Sequence, residues 1–338
     1  MIQTLVEEEQ IVGLAITVSL EDSVMWSEGF GYSDLDKEKP IKPDQTLFRI
    51  ASLSKPLTAT ILGRLEEEEL IDSKASVYTY VPDFPTKAYD FNLWHLATHR
   101  SGIRHYKAFE KDNQKPLSME EGLAKFQKSK LKFEPGTDYL YSSYGYNLLG
   151  VAMVQATNTS FPQLLQTYVT TPLGMKHTVP DTGVYDAIQT SGFFKSNGKG
   201  KVEEAKSVNY TMKMPSGGLL STSEDLVTFG NAYVYQRLLR RKTQEEMLTD
   251  HPLPNGEKTG YGMGWGLGVD GQGRQILSHT GGNVGSVCKL IVYPESALTL
   301  AVVSNTYGID WLKFIRTVNR IPNMILEEKE DQVKLSKK

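Results

Sequence analysis

The segment Phe48-Arg-Ile-Ala-Ser-Leu-Ser-Lys-Pro-Leu57 passes from an apolar stretch into the start of a helix. Pro56 is tolerated only near the first turn of a helix, where backbone N–H groups have no intrahelical partner. Ser52 is therefore expected at or near a helix N-terminus, with Lys55 three residues further on. The helix dipole and a neighbouring amine would both favour an alkoxide on Ser52. An N-capping serine beside a surface lysine would give the same pattern, so this segment alone leaves both interpretations open.

The pattern Ser-x-x-Lys occurs four times in the chain, at Ser52–Lys55, Ser129–Lys132, Ser196–Lys199 and Ser286–Lys289. A spacing of three residues brings two side chains together on a helix, whereas on a strand it places them on opposite faces. Ser286–Lys289 lies in strand-patterned sequence, Ser196–Lys199 lies in a glycine-rich loop, and Ser129–Lys132 belongs to a basic surface segment. Ser52–Lys55 is therefore the candidate catalytic pair.

Two further segments could complete an active site. Tyr139-Leu-Tyr-Ser-Ser143 follows a Pro-Gly turn, so Tyr141 is expected on a loop with its phenol directed into a cleft. Nearby cations would stabilise a phenolate and make it a proton acceptor, although a buried tyrosine with a satisfied hydroxyl is the simpler alternative. Leu277-Ser-His-Thr-Gly-Gly282 ends a strand in small residues. Gly281 and Gly282 would allow a substrate close to the backbone, where a main-chain N–H could complete an oxyanion hole.

Composition limits the function classes. The chain has 338 residues, 39% of them hydrophobic and 23% charged, which is typical of a globular protein of about two domains or one domain with an insertion. The formal net charge of −3 argues against nucleic-acid binding driven by bulk charge. The single cysteine, Cys288, excludes an internal disulfide and a Cys-rich zinc site. No apolar run approaches the ~18 residues that span a bilayer, so no membrane span is expected.

Hydrophobic periodicity predicts an α/β (α+β) fold. Strand patterns flank a region of helical periodicity. The predicted strands cover 14–20, 24–31, 261–269, 274–278, 287–293 and 298–304. A final helix is predicted from Trp311 to about Glu328, broken near Pro322. The expected architecture is an antiparallel sheet built from N- and C-terminal strands, flanked by helices, with an inserted all-helical subdomain. We assign 1–56 and 231–338 to the sheet domain and 57–230 to a mainly helical subdomain, with the active site between them.

Two other patterns carry little weight as metal or cofactor sites. His95 and His99 stand four residues apart and could share one helix face, but no third ligand is visible, so a core or helix-end role is favoured over zinc. Gly266-Leu-Gly-Val-Asp-Gly271 matches G-x-G-x-x-G but leads into a strand, where dinucleotide binding requires a helix N-terminus. No metal or organic cofactor is expected.

Because 1–10 lacks a basic start and an apolar region, no signal peptide is predicted. The chain as given is expected in the cytoplasm, or outside it if a signal peptide has been removed.

The chain resembles the serine β-lactamase and penicillin-binding-protein superfamily, in which Ser-x-x-Lys is a catalytic motif. The resemblance lies in three elements and their order along the chain: Ser52–Lys55, Tyr141 and His279-Thr-Gly. The chain is most similar to the class C β-lactamase-related family of esterases, D-amino-acid peptidases and carboxypeptidases, and its motifs look especially like those of the animal mitochondrial β-lactamase-like serine proteases. The supporting segments are 48–52, 96–103, 133–136, 215–222 and 261–265, together with 101–106 and 278–285.

The resemblance implies a β-lactamase/transpeptidase-like fold and acyl transfer through a Ser52 acyl-enzyme. Lys55 and Tyr141 would together accept the serine proton and deliver it to the leaving group. The N–H groups of Ser52 and Gly282 would stabilise the oxyanion. His279 would orient the substrate or take part in proton transfer. The implied substrate-binding positions are Ser143, Thr280, Gly281 and Gly282.

Two departures from the family pattern bear on the substrate. Ser143 replaces the asparagine of Tyr-x-Asn, and a hydroxyl cannot donate and accept as an amide does. His279 replaces the lysine of Lys-Thr-Gly, and a mostly neutral imidazole would bind a β-lactam carboxylate weakly. Both changes favour a peptidase or esterase acting on a small molecule or peptide.

The alternatives are a true β-lactamase or D,D-carboxypeptidase, and a catalytically retired penicillin-binding or assembly protein. The oligomeric state stays open.

Overall fold

A computed structural model of the chain describes residues 1–107, 110, 114–184, 190–198 and 201–336, with side chains up to 332. The strands are β1 (Gly13–Leu20), β2 (Ser23–Gly31), β3 (Phe48–Arg49), β4 (Val179–Pro180), β5 (Phe194–Ser196), β6 (Val202–Glu204), β7 (Leu219–Ser221), β8 (Gly266–Val269), β9 (Gln275–Asn283), β10 (Ser286–Tyr293), β11 (Leu298–Ser304) and β12 (Thr306–Tyr307). The helices are α1 (Ile2–Glu9), α2 (Ser54–Glu67), α3 (Val77–Tyr80), α4 (Leu93–Ala97), α5 (Met119–Leu123), α6 (Ser143–Thr157), α7 (Phe161–Leu165), α8 (Thr171–Leu173), α9 (Met214–Gly217), α10 (Ser223–Val234), α11 (Arg241–Met247) and α12 (Trp311–Ser336).

The main sheet of the described structure is antiparallel, in the order β2-β1-β11-β10-β9-β8. The N-terminal hairpin thus pairs with strands from the far end of the chain, as the sequence predicts. Glu21 and Asp22 form the hairpin turn, both with positive φ, which suits the twist of a two-residue hairpin loop. The remaining strands form two small three-stranded sheets, β12-β5-β6 and β3-β7-β4.

Helices cover both faces of the main sheet. On one face, Leu14, Ile16 and Val18 of β1 pack into a cluster that includes Phe314 and Val318 of α12. The other face carries Ala15 and the polar side chains Thr17 and Ser19. Thr17 and Ser19 contact α10, where the Thr17 hydroxyl lies 2.8 Å from the Ser223 hydroxyl and Ser19 Oγ donates to Asn231 Oδ1 at 2.8 Å. A sheet with both faces covered explains why β1, β10 and β11 are buried almost throughout.

Several local predictions differ from the structure. Helix α12 continues through Pro322 instead of breaking there. Helix α4 ends at Ala97 and His99 has a φ of 60°, so His95 and His99 do not share one helix face. The strand predicted over 261–269 begins only at Gly266. The segment 57–230 is mainly helical but also carries the short strands β4 to β7, and the proposed domain boundary at 230 falls inside α10.

Candidate active site

Ser52 lies in a single turn of 3₁₀ helix, Ala51–Leu53, that leads directly into α2. Ala51 has a φ of 45°, a conformation that non-glycine residues rarely adopt and that often marks functional sites. The turn is held from both sides, because Ser54 Oγ donates to the Ala51 carbonyl at 2.7 Å and Cys288 Sγ of β10 donates to the Ile50 carbonyl at 3.0 Å. The sequence-based expectation of a serine at a helix N-terminus therefore agrees with the structure.

Strand β9 packs directly against this turn, and Gly281 makes that approach possible. A Cβ atom at Gly281 would lie 2.6 Å from the Ile50 carbonyl oxygen and 2.4 Å from Cys288 Sγ. Both distances are too short for a side chain, so only glycine allows β9 to lie this close to Ser52. Gly281 therefore faces the turn and not the open cavity.

Lys55 is completely buried behind Ser52. Its Nζ is hydrogen-bonded to Ser52 Oγ at 3.0 Å and donates to the Ser216 carbonyl at 2.6 Å. Burial, together with the charge of Lys213, holds the pKa of Lys55 well below its usual value. A neutral amine beside a serine hydroxyl can accept the hydroxyl proton.

Tyr141 lies beside this pair, with its ring centroid 4.9 Å from Lys55 Nζ. Burial raises the pKa of the Tyr141 phenol, although a hydrogen bond with Ser52 acts in the opposite direction. The hypothesis that nearby cations stabilise a Tyr141 phenolate is therefore wrong, because desolvation has the larger effect on this pKa. Tyr141 is poised as a protonated phenol that can pass a proton.

His279 lies on β9 with both ring nitrogens engaged. Nδ1 is 2.8 Å from the Thr280 carbonyl oxygen, which only accepts, so Nδ1 must carry the proton. Nε2 therefore accepts from the Tyr261 hydroxyl at 3.0 Å. Burial, reinforced by the Lys55 charge, lowers the pKa of His279 to about 3. The imidazole is neutral at pH 7, in agreement with the sequence-based expectation that this position lacks a cation.

A cavity of about 610 Å³ opens in front of Ser52. Among the residues predicted from sequence, it is lined by Ser52, Tyr141, Ser143, His279, Thr280 and Gly282. The structure thus brings together residues from three separate stretches of the chain around one space. Lys55 and Gly281 stand behind its wall.

The profile of the β-lactamase family matches residues 1–315. The chain belongs to the β-lactamase family. It is 30% identical to the human mitochondrial serine β-lactamase-like protein LACTB, in an alignment that covers 84% of this chain and 69% of that protein. It is 28% identical to penicillin-binding protein 4* of Bacillus subtilis (strain 168), covering 90% of this chain and 70% of that one. The fold matches D-amino acid amidase from Ochrobactrum anthropi SV3 with a TM-score of 0.83, 24% identity and 98% coverage of both chains.

These comparisons confirm the family resemblance, and the chain is accordingly a serine hydrolase of the β-lactamase family. The antiparallel sheet flanked by helices is the fold of its structural relatives. Within the residues described, no helix is both long and apolar enough to cross a membrane.

Some site residues of this β-lactamase-family chain escaped the sequence analysis. His105, Tyr261 and Lys213 line the cavity, and His99 packs on Tyr141 with 4.3 Å between ring centroids. His99 Nδ1 accepts from the Ser142 backbone N–H and His105 Nδ1 from that of Ser143, each at 3.1 Å, so both histidines position the loop that carries Tyr141. In the sequence, the spacing of His99 from His95 indicates only a core, helix-end or zinc-binding role, and His105 occurs only within a family motif. A local pattern does not show which loop a side chain meets.

Proposed function

We propose that this chain hydrolyses amide or ester bonds through an acyl-enzyme on Ser52, with neutral Lys55 as the resting base. The observation that carries this proposal is the 3.0 Å hydrogen bond between Lys55 Nζ and Ser52 Oγ, made by an amine whose pKa is lowered by burial. A neutral lysine near the reacting hydroxyl is the state in which this base can act.

In the first half-reaction, Ser52 Oγ attacks the substrate carbonyl carbon and Lys55 takes the hydroxyl proton. The tetrahedral intermediate then collapses, and the leaving amine or alkoxide receives a proton through the Tyr141 phenol, which is replenished from Lys55. In the second half-reaction, a water loses its proton to the same groups and attacks the acyl-enzyme. The carboxylic acid leaves, and the proton returns to Ser52 Oγ. Each proton is thus taken up and given back by Lys55 and Tyr141.

The oxyanion would be stabilised by the backbone N–H groups of Ser52 and Gly282. Strand β8 pairs with β9 only as far as Ser278, so the outer edge of β9 beyond that point faces the cavity. Gly282 lies on this open edge and is exposed, which leaves room for a substrate carbonyl. Two preorganised N–H donors at this position are the usual means of stabilising a tetrahedral intermediate.

The substrate preference we propose is for esters or peptide-like amides over β-lactams. Neutral His279 offers no charge to a β-lactam carboxylate, and the Ser143 hydroxyl replaces an amide that would hold the acyl side chain. A relative named as a D-aminopeptidase, 29% identical over 54% of this chain, supports a peptide-like substrate.

The experiment that tests the mechanism is intact-mass analysis after exposure to an activated fluorophosphonate. We expect a single adduct on the wild type and none on Ser52→Ala. Ser129→Ala is the matched control, since Ser129 also starts a Ser-x-x-Lys pattern, and it should be labelled like the wild type. Labelling of Ser52→Ala would exclude Ser52 as the nucleophile.

A comparison of turnover rates distinguishes a peptidase or esterase from a β-lactamase and from a retired binding protein. The substrates compared are a chromogenic cephalosporin, short-chain esters, and D- and L-amino-acid amides. Faster turnover of the esters or amides supports the proposal, whereas preferred turnover of the cephalosporin indicates a true β-lactamase. Penicillin labelling without turnover of any substrate would indicate a retired binding protein.

A further inference from the structure

A second cavity, of about 270 Å³, lies between the main sheet and α12. Lys289 of β10 lines it, together with Ser278 of β9 and two amide side chains of α12, Asn319 and Asn323. Along β10, the neighbours of Lys289 on the same face are the apolar residues Val287 and Ile291, which belong to the core beneath α12. A lysine therefore interrupts an otherwise apolar row.

Lys289 is only 6% exposed. Within the described part of the chain its amine has neither a hydrogen-bond acceptor nor an ion-pair partner. Lys289 Nζ is not enclosed by protein atoms, so the amine of this otherwise buried side chain is accessible. Proteins ordinarily pair a lysine this deeply buried with a counter-ion. Burial lowers the pKa of Lys289 to about 8, which leaves the amine mostly protonated at pH 7. The uncompensated charge faces the cavity.

The carboxylate on the cavity wall does not supply this counter-ion. Asp270 accepts from Arg274 Nε at 2.7 Å and from the backbone N–H groups of Gln272 and Arg274 at 2.8 and 3.0 Å. Arg274 also donates to Asn323 Oδ1 at 2.9 Å. With Oδ1 occupied in this way, the Nδ2 donor is the remaining hydrogen-bonding end of the Asn323 amide. The groups left for a ligand are thus mainly donors.

The Lys289 cavity adjoins the catalytic cavity along β9. Ser278 lines both of them. Thr280, which lines the catalytic cavity, is the cross-strand partner of Lys289 and therefore lies on the same face of the sheet. A ligand bound at Lys289 would consequently lie next to a group held above Thr280.

We propose that the Lys289 cavity is an anion subsite that binds a carboxylate, with Lys289 as the cation and the Ser278 hydroxyl and the Asn323 amide as further donors. The carboxylate has two possible sources, a substrate that extends from the catalytic cavity or a free small acid. The first source rests on the hydrolase function proposed above, whereas the second does not.

The first arm of the test measures binding without turnover. The melting temperature of the protein is followed against acetate and succinate at constant ionic strength with chloride, for wild type, Lys289→Met and Lys195→Met. Lys195 is a half-exposed lysine outside both cavities. We expect both acids to raise the melting temperature of wild type and Lys195→Met at pH 7. The effect should be lost in Lys289→Met, and in wild type at pH 9.5, where the amine is deprotonated.

The second arm compares kcat/KM for mono-p-nitrophenyl succinate with that for p-nitrophenyl butyrate. If the carboxylate belongs to the substrate, we expect this ratio to fall at least tenfold in Lys289→Met. A thermal response without a change in this ratio supports the subsite with a free acid as its ligand. A change in the ratio alone supports the substrate as the source.

Lys289→Met and wild type responding alike in both arms would overturn the proposal. If neither ester is hydrolysed by wild type, the hydrolase function fails, while the thermal arm still decides the subsite. Circular dichroism verifies folding, and Lys289→Gln replaces Lys289→Met should the latter not fold.

Discussion

At the scale of single residues, burial decides the chemistry of the site. It lowers the pKa of Lys55, raises that of Tyr141 and keeps His279 neutral. Desolvation disfavours the charged form of each group, so the same cause produces a neutral amine and a protonated phenol side by side. The pair can therefore exchange a proton without either partner resting as an ion.

Lys55→Met should remove the base while keeping much of the packing volume. We expect kcat/KM to fall by about 10³-fold, which corresponds to about 4 kcal/mol of transition-state stabilisation. In the wild type, kcat/KM should rise with pH and level off above the lowered pKa of Lys55, because the base that we propose is the neutral amine. A pH–rate profile of a short-chain ester measures this, and a rise centred at the ordinary lysine pKa would contradict the assignment.

Tyr261→Phe should remove the hydrogen bond that stabilises the neutral form of His279. The tyrosine hydroxyl donates to Nε2 of the neutral imidazole, so its removal should raise the pKa of His279 and cost about 1 kcal/mol of stability. NMR titration of the His279 ring proton and denaturant unfolding measure the two effects. Tyr139→Phe is the control, because Tyr139 contacts the Tyr261 ring without bonding to His279. Equal His279 pKa values in wild type and Tyr261→Phe would refute this role.

At the scale of elements, the site depends on β9 lying against the 3₁₀ turn of Ser52. The edge of β9 that pairs with β8 is unpaired beyond Ser278, and the face of β9 that carries Gly281 contacts the 3₁₀ turn. A strand edge and a helix start thus form the two sides of the oxyanion hole that we propose. The spacing between them is set by a residue without a side chain.

Gly281→Ala should separate these two elements. The new Cβ would clash with the Ile50 carbonyl, so the turn must move, and we expect a loss of about 2 kcal/mol of stability and at least a tenfold fall in kcat. Gly268→Ala is the matched strand control, since its Cβ would meet only Ile276 at 3.7 Å, an ordinary contact. Wild-type kcat in Gly281→Ala would show that the close approach is not required.

At the scale of the whole molecule, the sheet and the helices share one core. A single cluster contains Leu290 and Ala301 of the sheet together with Leu57 of α2 and Leu148 of α6. The two parts that we propose, 1–56 with 231–338 and 57–230, therefore bury each other's apolar surface. Ser52, Tyr141 and His279 come from different parts of this shared structure.

We expect one cooperative unfolding transition in denaturant. Tryptophan fluorescence, to which the buried Trp265 of this core contributes, and far-UV circular dichroism should give coincident curves, because neither part retains its core when the other unfolds. Trp94→Phe removes a reporter in the helical region and should leave the midpoint of the fluorescence curve coincident with that of circular dichroism. Two separated transitions would show that 57–230 is an independent folding unit.

The sequence by itself determined the features that neighbouring residues control. Alternating apolar residues fixed the hairpin of β1 and β2, and the three-residue spacing at a helix start placed Lys55 beside Ser52. The three motifs together indicated the family. Pro322 is the exception: its local preference predicts a helix break, but α12 continues through it because the helix packs on the sheet.

Only the tertiary structure decided the charge states of the titratable groups in the site and the residues that surround them. The Ser216 carbonyl that binds Lys55 lies 161 residues away in the chain, and Tyr261 and His105 reach the cavity from segments whose motifs indicate the family but not a place in the site. The pKa of a group depends on desolvation and on charges close in space, and both are set by long-range packing. The strand pattern does not reveal the unpaired amine of the buried Lys289 side chain for the same reason.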